Sequence, residues 1–145
     1  MAKKTAKINQ NPTPSKTVKF SENPEQILDS HISWHFNLMD QAPESPWTSL
    51  PKHLNRYADK LHAYEKQTIA EIFHEKQQYN HAVPVGRLVP RAQARLNTLK
   101  IKVDALYRLR FGGKPRLWGI LKGNIFQILW FDPQHQVCPS EKKHT

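Results

Sequence analysis

The chain has few of the residues that define several common protein classes. Among 145 residues it has one cysteine, Cys138, which excludes an internal disulfide and fits a reducing compartment. No stretch approaches the roughly 18 consecutive apolar residues that a membrane span needs. The basic N-terminal residues are not followed by an apolar stretch, so they do not form a secretory signal. These absences predict a cytoplasmic protein that does not enter a membrane.

Acidic residues are also scarce, and the scarcity is concentrated in one half of the chain. The sequence has 22 Lys and Arg residues against 12 Asp and Glu residues. Residues 81–145 contain twelve basic and three acidic residues, whereas residues 31–80 contain five and six. An excess of positive charge confined to one half of a small protein predicts an anionic partner, such as RNA, DNA or an acidic protein.

The length and the distribution of residue types predict one folded domain between two tails. A chain of 145 residues has room for one hydrophobic core. Residues 1–29 are rich in Lys, Asn, Pro, Ser and Thr and poor in large apolar residues, which predicts a disordered basic tail. We expect the folded domain to cover residues 30–138. Residues 139–145 should form a flexible basic C-terminal tail.

The segment 104–133 predicts three consecutive antiparallel strands. The Gly-Asn pair at 123–124 is a two-residue turn signal, so Lys122 should pair with Ile125. The Gly-Gly-Lys connection at 112–114 should close the preceding hairpin. Because alternate residues of a strand point to opposite faces, this register defines one apolar face. Its members are Ala105, Tyr107, Leu109, Phe111, Leu117, Gly119, Leu121, Phe126, Ile128 and Trp130.

The opposite face of this predicted sheet gathers positive charge. The register places Arg110 opposite Arg116, with Arg108 and Trp118 on the same face. Guanidinium groups pair bidentately with phosphate and stack on flat rings, so such a face suits a polyanion. The alternative interpretation is that these arginines are ordinary solvated residues of a half-buried sheet.

The remaining segments complete an α+β fold. Residues 31–40 alternate between apolar and polar types, which predicts a strand that joins the same sheet. Residues 52–79 lack Pro and Gly and repeat apolar residues at steps of three and four, as in an amphipathic helix. A short basic helix should begin at Pro90. We therefore predict two helices packed on one face of a mainly antiparallel four-stranded sheet, with the arginine face left open.

The hairpin YRLRFGGKPRLWGI leads into the strand ILWFDPQH. With that hairpin and strand, this order of elements resembles the RelE/ParE superfamily of bacterial toxins. The similarity is greatest to the RelE-like and HigB-like members that cleave mRNA, and it covers about residues 30–137. It implies a toxin of a type II toxin-antitoxin system. Such a toxin is a small basic endoribonuclease that cleaves mRNA at the ribosome and is neutralised by an acidic antitoxin.

RNA cleavage by the 2′-hydroxyl requires a proton acceptor, cationic donors for the phosphate and an acid for the leaving 5′ oxygen. This reaction does not require a metal or another cofactor, and we predict none. His135 lies just beyond the third strand, and imidazole suits proton transfer near neutral pH. By resemblance to the family, the catalytic positions are Arg116, His135 and Arg110. Substrate binding falls to Arg108, Lys114 and Lys122, with Trp118 stacking on an unpaired base.

Two alternatives stay open, besides a metal site that we reject on balance. That metal site is a zinc site formed by His135, Cys138 and His144, which the irregular spacing disfavours. The first alternative is that His135 is a turn residue after Asp132-Pro133. The second is a noncatalytic nucleic-acid-binding or antitoxin-binding module from a phage or mobile element, which uses the same basic surface without proton transfer. The position of His135 relative to the arginines distinguishes this binding module from an enzyme.

Overall fold

The computed structural model describes residues 24–47, 50–74 and 76–139, and within these ranges the fold is α+β. The helices are α1 (Pro24–Leu28), α2 (Leu50–Glu65), α3 (Ile69–Ile72) and α4 (Pro90–Thr98), with a 3-10 turn at Val85–Arg87. The strands are β1 (Ser33–His35), β2 (His81–Pro84), β3 (Ala105–Arg110), β4 (Arg116–Lys122) and β5 (Ile125–Asp132). None of the described helices is long and apolar enough to cross a membrane. Most of the two predicted tails lies outside the described residues, and α1 falls inside the range predicted as the N-terminal tail.

The five strands form one mixed sheet in the order β1-β5-β4-β3-β2. β1 runs parallel to β5, and every other neighbouring pair is antiparallel. The prediction of four strands was wrong because it omitted β2, whose sequence suggested a break between two helices. β2 is an edge strand that pairs only with β3, a position at which Pro84 is tolerated because one side of the strand needs no ladder partner.

The predicted hairpin register is confirmed at both turns. Lys122 pairs with Ile125, and Arg110 pairs with Arg116. The register then shifts by one residue, because Trp118 pairs with Trp130 whereas Gly119 pairs with Ile128. Such a bulge reverses the facing of the residues that follow it. Assigning Trp130 to the same face as Ile128 was therefore wrong.

The face that carries Leu109, Leu117 and Ile128 is covered by α2 and α3. Because Gly119 lies in this tightly packed sheet, an added Cβ would overlap the Gln127 carbonyl oxygen and the Phe126 ring. The prediction of an apolar face is thus confirmed apart from Trp130, whose place is taken by Phe131. We call this cluster the α2-side core; its buried members are Ile32, Leu61, Ile69, Ile72, Leu109, Phe111, Leu117, Phe126, Ile128 and Phe131.

The opposite face is covered by α4, so the prediction of two helices on one face was wrong. The apolar stripe of a helix does not say which face of a sheet it will bury, and this face carries its own apolar residues. Ala92 and Leu96 of α4 pack against them. We call this cluster the α4-side core; its buried members are Trp47, Val83, Leu88, Ala92, Leu96, Leu106, Trp118, Leu129, Trp130 and Val137.

The predicted helix over residues 52–79 is interrupted. α2 ends at Glu65, and α3 begins after Thr68. The Thr68 hydroxyl accepts a hydrogen bond from the Glu71 amide at 3.2 Å, and the Glu71 carboxylate accepts one from the Thr68 amide at 2.8 Å. This reciprocal capping box starts a new helix and redirects the chain. α3 ends at Ile72, so the chain up to residue 80 is free to form the connection to β2.

The predicted strand at residues 31–40 joins the sheet, but it is shorter than expected. Only Ser33–His35 forms a strand, and Trp34 is half-buried against the α2-side core. Phe36 was expected on the covered face and is instead 44% exposed. A strand of three residues at the sheet edge has few ladder partners. The alternating pattern therefore does not predict which side chains are covered beyond the strand itself.

A buried ion pair connects the chain after β1 to α4. Asp40 accepts two hydrogen bonds from Arg95, both at 2.8 Å, and one from the Trp130 indole at 2.9 Å. Burial by itself would raise the pKa of Asp40. The hydrogen bonds from Arg95, Trp130 and Ser45, with the Arg95 charge, outweigh it and lower the pKa to about 2. Asp40 is therefore a carboxylate at neutral pH, held by its partners.

Candidate active site

The arginines that were predicted on an open face are close together but largely covered. Arg108 and Arg110 alternate along β3, and Arg116 begins β4 opposite Arg110. Arg108 is 8% exposed and Arg116 is 7% exposed. The prediction of an open arginine face was wrong for these two, because the backbone carbonyls of residues 78, 79 and 113–115 accept hydrogen bonds from their guanidinium groups.

Arg108 fixes the segment that leads into β2. Its Nε donates to the Tyr79 carbonyl at 3.1 Å, and its Nη2 donates to the Gln78 carbonyl at 3.2 Å. Nη2 also donates to Nε2 of His81 at 2.9 Å. Burial lowers the pKa of Arg108, but a guanidinium remains charged at neutral pH. The segment therefore closes over a cation without supplying a carboxylate.

Arg116 fixes the turn between β3 and β4 in the same way. Its Nη1 lies 2.8 Å from the Gly113 carbonyl, 3.1 Å from that of Lys114 and 3.0 Å from that of Pro115. Its Nε is buried and has no hydrogen-bond partner among the described residues. Burial, and then the charges of Arg108 and Arg110, lower the pKa of Arg116. A buried N–H without an acceptor is uncommon in folded proteins and often marks a position where water or a ligand belongs.

Arg110 takes a different course from its two neighbours. Its side chain is half-buried, its Nε donates to the Gly112 carbonyl, and its Cζ lies 4.1 Å from the centre of the Tyr79 ring. This distance is within the range of a cation-π contact. Sequence analysis missed Tyr79 in this role and assigned it to a helix. The interruption of that helix brings the ring to the end of β3.

His135 lies within electrostatic range of Arg116 and Arg108. Its φ of 57° is in the left-handed region, and its amide donates to the Asp132 carbonyl at 3.4 Å. Burial, followed by the charges of Arg116 and Arg108, lowers the pKa of His135 below its ordinary value of 6.5. The ring is therefore neutral at neutral pH. Its Nε2 is buried without a hydrogen-bond partner among the described residues.

Asp132, which sequence analysis considered only as a turn residue, positions the chain that carries His135. Its carboxylate accepts hydrogen bonds from the Trp118 indole at 3.2 Å, the Gln136 amide at 2.7 Å and the Val137 amide at 2.9 Å. Asp132 pairs with Arg116 in the β4-β5 register but forms no ion pair with it. The carboxylate near the positive charge of Arg116 is thus already hydrogen-bonded to Trp118, Gln136 and Val137.

The remaining predicted binding residues are dispersed. Lys114 is exposed in the turn beside Arg116. Lys122 is at the opposite end of β4, roughly 20 Å away by the rise of a strand. Trp118 is fully buried in the α4-side core, so the expectation that its ring meets a base was wrong. The structure brings together Arg108, Arg110, Arg116 and His135, which we call the arginine-histidine cluster, with Lys114 at its edge.

The fold and this cluster define a small α+β protein with a covered cationic site at one end of its sheet. In comparisons with family models, with curated proteins and with solved structures, the chain has no match. Among the described residues, no group of three or more His, Cys, Asp or Glu side chains is placed to hold a metal ion.

Proposed function

We propose that the protein is an endoribonuclease toxin of the RelE/ParE type, which cleaves mRNA at the ribosome by attack of the 2′-hydroxyl on the adjacent phosphate. The observation that carries the proposal is the position of His135, whose amide donates to Asp132, the residue that pairs with Arg116 in the β4-β5 register. A noncatalytic phosphate-binding surface needs the arginines alone. The histidine adds a group that can accept and return a proton near neutral pH.

Each member of the cluster has a role in this reaction. Arg116 supplies positive charge to the phosphate as it becomes pentavalent, and Arg108 adds to the positive electrostatic potential at the phosphate. Arg110, which is less buried, contacts the RNA backbone. The neutral ring of His135 accepts the proton of the 2′-hydroxyl and then returns it to the leaving 5′ oxygen. Because Arg108 and Arg116 are already fixed by backbone carbonyls, their positive charge is oriented before the substrate arrives.

The excess positive charge of the chain is the basis on which we propose a protein partner. Residues 81–145 carry nine more basic than acidic residues, and the three clustered arginines have no ion pair among the described residues. An acidic antitoxin that covers the arginine-histidine cluster would neutralise this charge and block the site in one step.

A noncatalytic nucleic-acid-binding module is the second candidate, and burial favours it. The guanidinium groups of Arg108 and Arg116 donate to the chain's own carbonyls, and Nε2 of His135 is buried. Such a module would use the positive potential without proton transfer. The two candidates differ in one prediction: only the enzyme loses its effect when His135 is replaced.

Expression in growing bacteria, with primer extension to map new RNA ends, tests the proposal. We expect the wild-type protein to arrest growth and to produce new mRNA 5′ ends, and His135→Ala and Arg116→Ala to abolish both. His62→Ala and Arg56→Ala are matched controls, because both side chains are exposed on α2. Wild-type protein that neither arrests growth nor produces new ends would overturn the enzyme and leave the binding module.

Arg116→Ala needs a second readout because Arg116 is not a simple surface residue. Loss of its hydrogen bonds to residues 113–115 will lower stability, so thermal unfolding of each variant must accompany the cellular test. His135→Ala has no such confounding loss of side-chain hydrogen bonds. Full RNA cleavage by a folded His135→Ala variant would show that another group transfers the proton.

A further inference from the structure

A polar cavity lies beside the arginine-histidine cluster and was not among the predicted sites. It has a volume of about 530 Å³ and is formed between the C-terminal half of α2 and the connection from α3 to β2. Arg110, the last residue of β3, and Gly112 in the turn that follows also line it. The cavity volume falls within the range typical of small-molecule sites in proteins.

The charged groups that line the cavity favour an anion. Lys60 and Arg110 contribute positive charge, and His74 also lines the wall. Among the lining residues that the structure describes, Glu71 is the one carboxylate, and it accepts hydrogen bonds from the Thr68 amide and hydroxyl in the α3 cap. Lys60 and Arg110 outnumber this single carboxylate, so the described lining residues carry a net positive charge that favours an anion.

The cavity also offers an aromatic surface. Tyr79 is 48% exposed although Arg110 lies over one face of its ring. Part of Tyr79 is therefore exposed to solvent beside the contact with Arg110. Successive bases of single-stranded RNA commonly stack on such an aromatic side chain, and a guanidinium on its far face strengthens the arrangement.

Hydrogen bonds hold the wall that carries Tyr79 in place. Oε1 of Gln77 accepts from the amides of Tyr79 and Asn80, each at 2.7 Å. Oδ1 of Asn80 accepts from the Arg110 amide at 2.8 Å, and the Tyr64 hydroxyl donates to the Arg110 carbonyl at 2.6 Å. This network ties the connection to α2 and to β3. The cavity is thus preformed, which reduces the entropy lost when a ligand binds.

We propose that this cavity binds one nucleotide of a single-stranded RNA, with the base on Tyr79 and the phosphate on Lys60 and Arg110. The inference rests on the proposed function, because Arg110 is the residue that joins the cavity to Arg116 across the β3-β4 pair. A nucleotide held in this cavity belongs to the same RNA strand as the phosphate that binds at the arginine-histidine cluster. The cavity then positions the RNA and contributes to the choice of cleavage site.

Binding of an RNA that cannot be cleaved tests the cavity separately from catalysis. The probe is a fluorescein-labelled RNA of twelve nucleotides with 2′-O-methyl groups, which removes the attacking hydroxyl, and the readout is fluorescence anisotropy. We expect Tyr79→Leu to weaken binding about tenfold, whereas Tyr79→Phe retains the ring and binds as wild type. Lys60→Gln should weaken binding and reduce the salt slope by about one, whereas Lys52→Gln, on the same helix, should not.

The outcomes separate the cavity from the proposed reaction. Wild-type affinity in both Tyr79→Leu and Lys60→Gln, or no binding of the RNA by wild-type protein, overturns the cavity proposal. Free AMP that displaces the RNA as effectively as unlabelled RNA also overturns it, since the cavity would then be a mononucleotide site. If both variants weaken binding while wild-type protein produces no new RNA ends, the cavity stands and the catalytic proposal fails.

Discussion

The protein contains two sites with buried arginines, and they are satisfied in opposite ways. Arg95 on α4 is paired with the carboxylate of Asp40, so its charge is neutralised inside the protein. Arg108 and Arg116 are buried to a similar extent, but their partners are backbone carbonyls and the ring of His81. A carbonyl orients a guanidinium without cancelling its charge. The first site stabilises the fold, whereas the second keeps positive charge available for an anion.

This difference matters because burying uncompensated charge is costly. Burial lowers the pKa of both Arg108 and Arg116. The charge of Arg108 also lowers the pKa of Arg116, and burial and then the charges of both arginines lower the pKa of His135. Asp132 pairs with Arg116 in the register, but unlike Asp40 at Arg95 it forms no ion pair with the guanidinium. Perturbed ionisable groups gathered in one place are typical of functional sites, which is why we assign function to this end of the sheet.

The largest expected effect concerns the neutralised site. Asp40→Asn leaves Arg95 buried without its anion, so we expect a loss of about 3–5 kcal/mol in the free energy of unfolding. Urea denaturation measures it. Glu44→Gln is the matched control, because Glu44 lies 3.6 Å from the same guanidinium but is exposed, and it should change stability by less than about 1 kcal/mol. Equal effects of the two variants would contradict the structural role given to Asp40.

Acid unfolding sharpens the same contrast. The pKa of Asp40 is about 2 in the folded protein and 3.8 as the unperturbed value. Its contribution to stability is therefore present above pH 3.8 and is lost as the pH falls towards 2. We expect the unfolding free energy of wild-type protein to fall across this window, with Asp40→Asn showing a shallower decline. Parallel curves would mean that the carboxylate of Asp40 is not what the acid removes.

Replacing an arginine at the charged site should cost less stability. Arg116→Gln removes hydrogen bonds to the exposed turn at 113–115, which water can partly replace, and it relieves repulsion from Arg108. We expect a loss of about 1–2 kcal/mol, smaller than that of Arg95→Gln, which leaves Asp40 buried and unpaired. Urea denaturation of the two variants compares them directly. A greater loss for Arg116→Gln would show that Arg116 acts mainly as a structural residue.

The salt dependence of RNA binding should measure the positive charge that the arginine-histidine cluster makes available to phosphate. Each phosphate that the protein neutralises releases counterions, so binding should weaken steeply with salt. Lys114→Gln, at the edge of the arginine-histidine cluster, should reduce the slope by about one, whereas Lys122→Gln at the far end of β4 should leave it unchanged. Filter binding at several salt concentrations measures the slope. An equal change in both variants would argue against a localised site.

The smallest expected effect is a pH dependence of stability near neutrality. The pKa of His135 is lowered in the folded protein, so below about pH 6.5 the unfolded chain binds more protons than the folded one. The free energy of unfolding should therefore decrease as the pH falls through this region. His135→Gln should remove that part of the decrease, and exposed His62→Gln should not. An unchanged profile in His135→Gln would contradict the burial and repulsion assigned to the ring.

Sequence patterns succeeded where the determining interactions are local. The turn at 123–124 and the pairing of Arg110 with Arg116 depend on neighbouring residues and on strand alternation, and both are confirmed. The gathering of arginines on one side of β3 and β4 follows from the same alternation. The capping box at Thr68 and Glu71 was visible in the sequence and would have predicted the end of the long helix.

Features set by distant packing were not readable in this way. The one-residue bulge opposite Trp118 leaves no compositional trace, yet it moves Trp130 to the other face. The choice of face by α4 depends on Leu106 and Trp118, which are far from it in sequence. Closure of residues 78–81 over Arg108 required knowledge of β2. Alternation therefore placed the cluster, while burial and pairing of its charges needed the structure.

The most direct test of the account is the single-turnover rate of mRNA cleavage by purified protein on programmed ribosomes, for wild type and His135→Ala. The account predicts a fall of about 100-fold or more with RNA affinity unchanged, because His135 transfers a proton while the arginines hold the phosphate. His62→Ala should cleave at the wild-type rate. Absence of cleavage by wild-type protein would contradict the claim that this end of the sheet is a catalytic site, and a His135→Ala rate equal to wild type would contradict the assignment of proton transfer to His135.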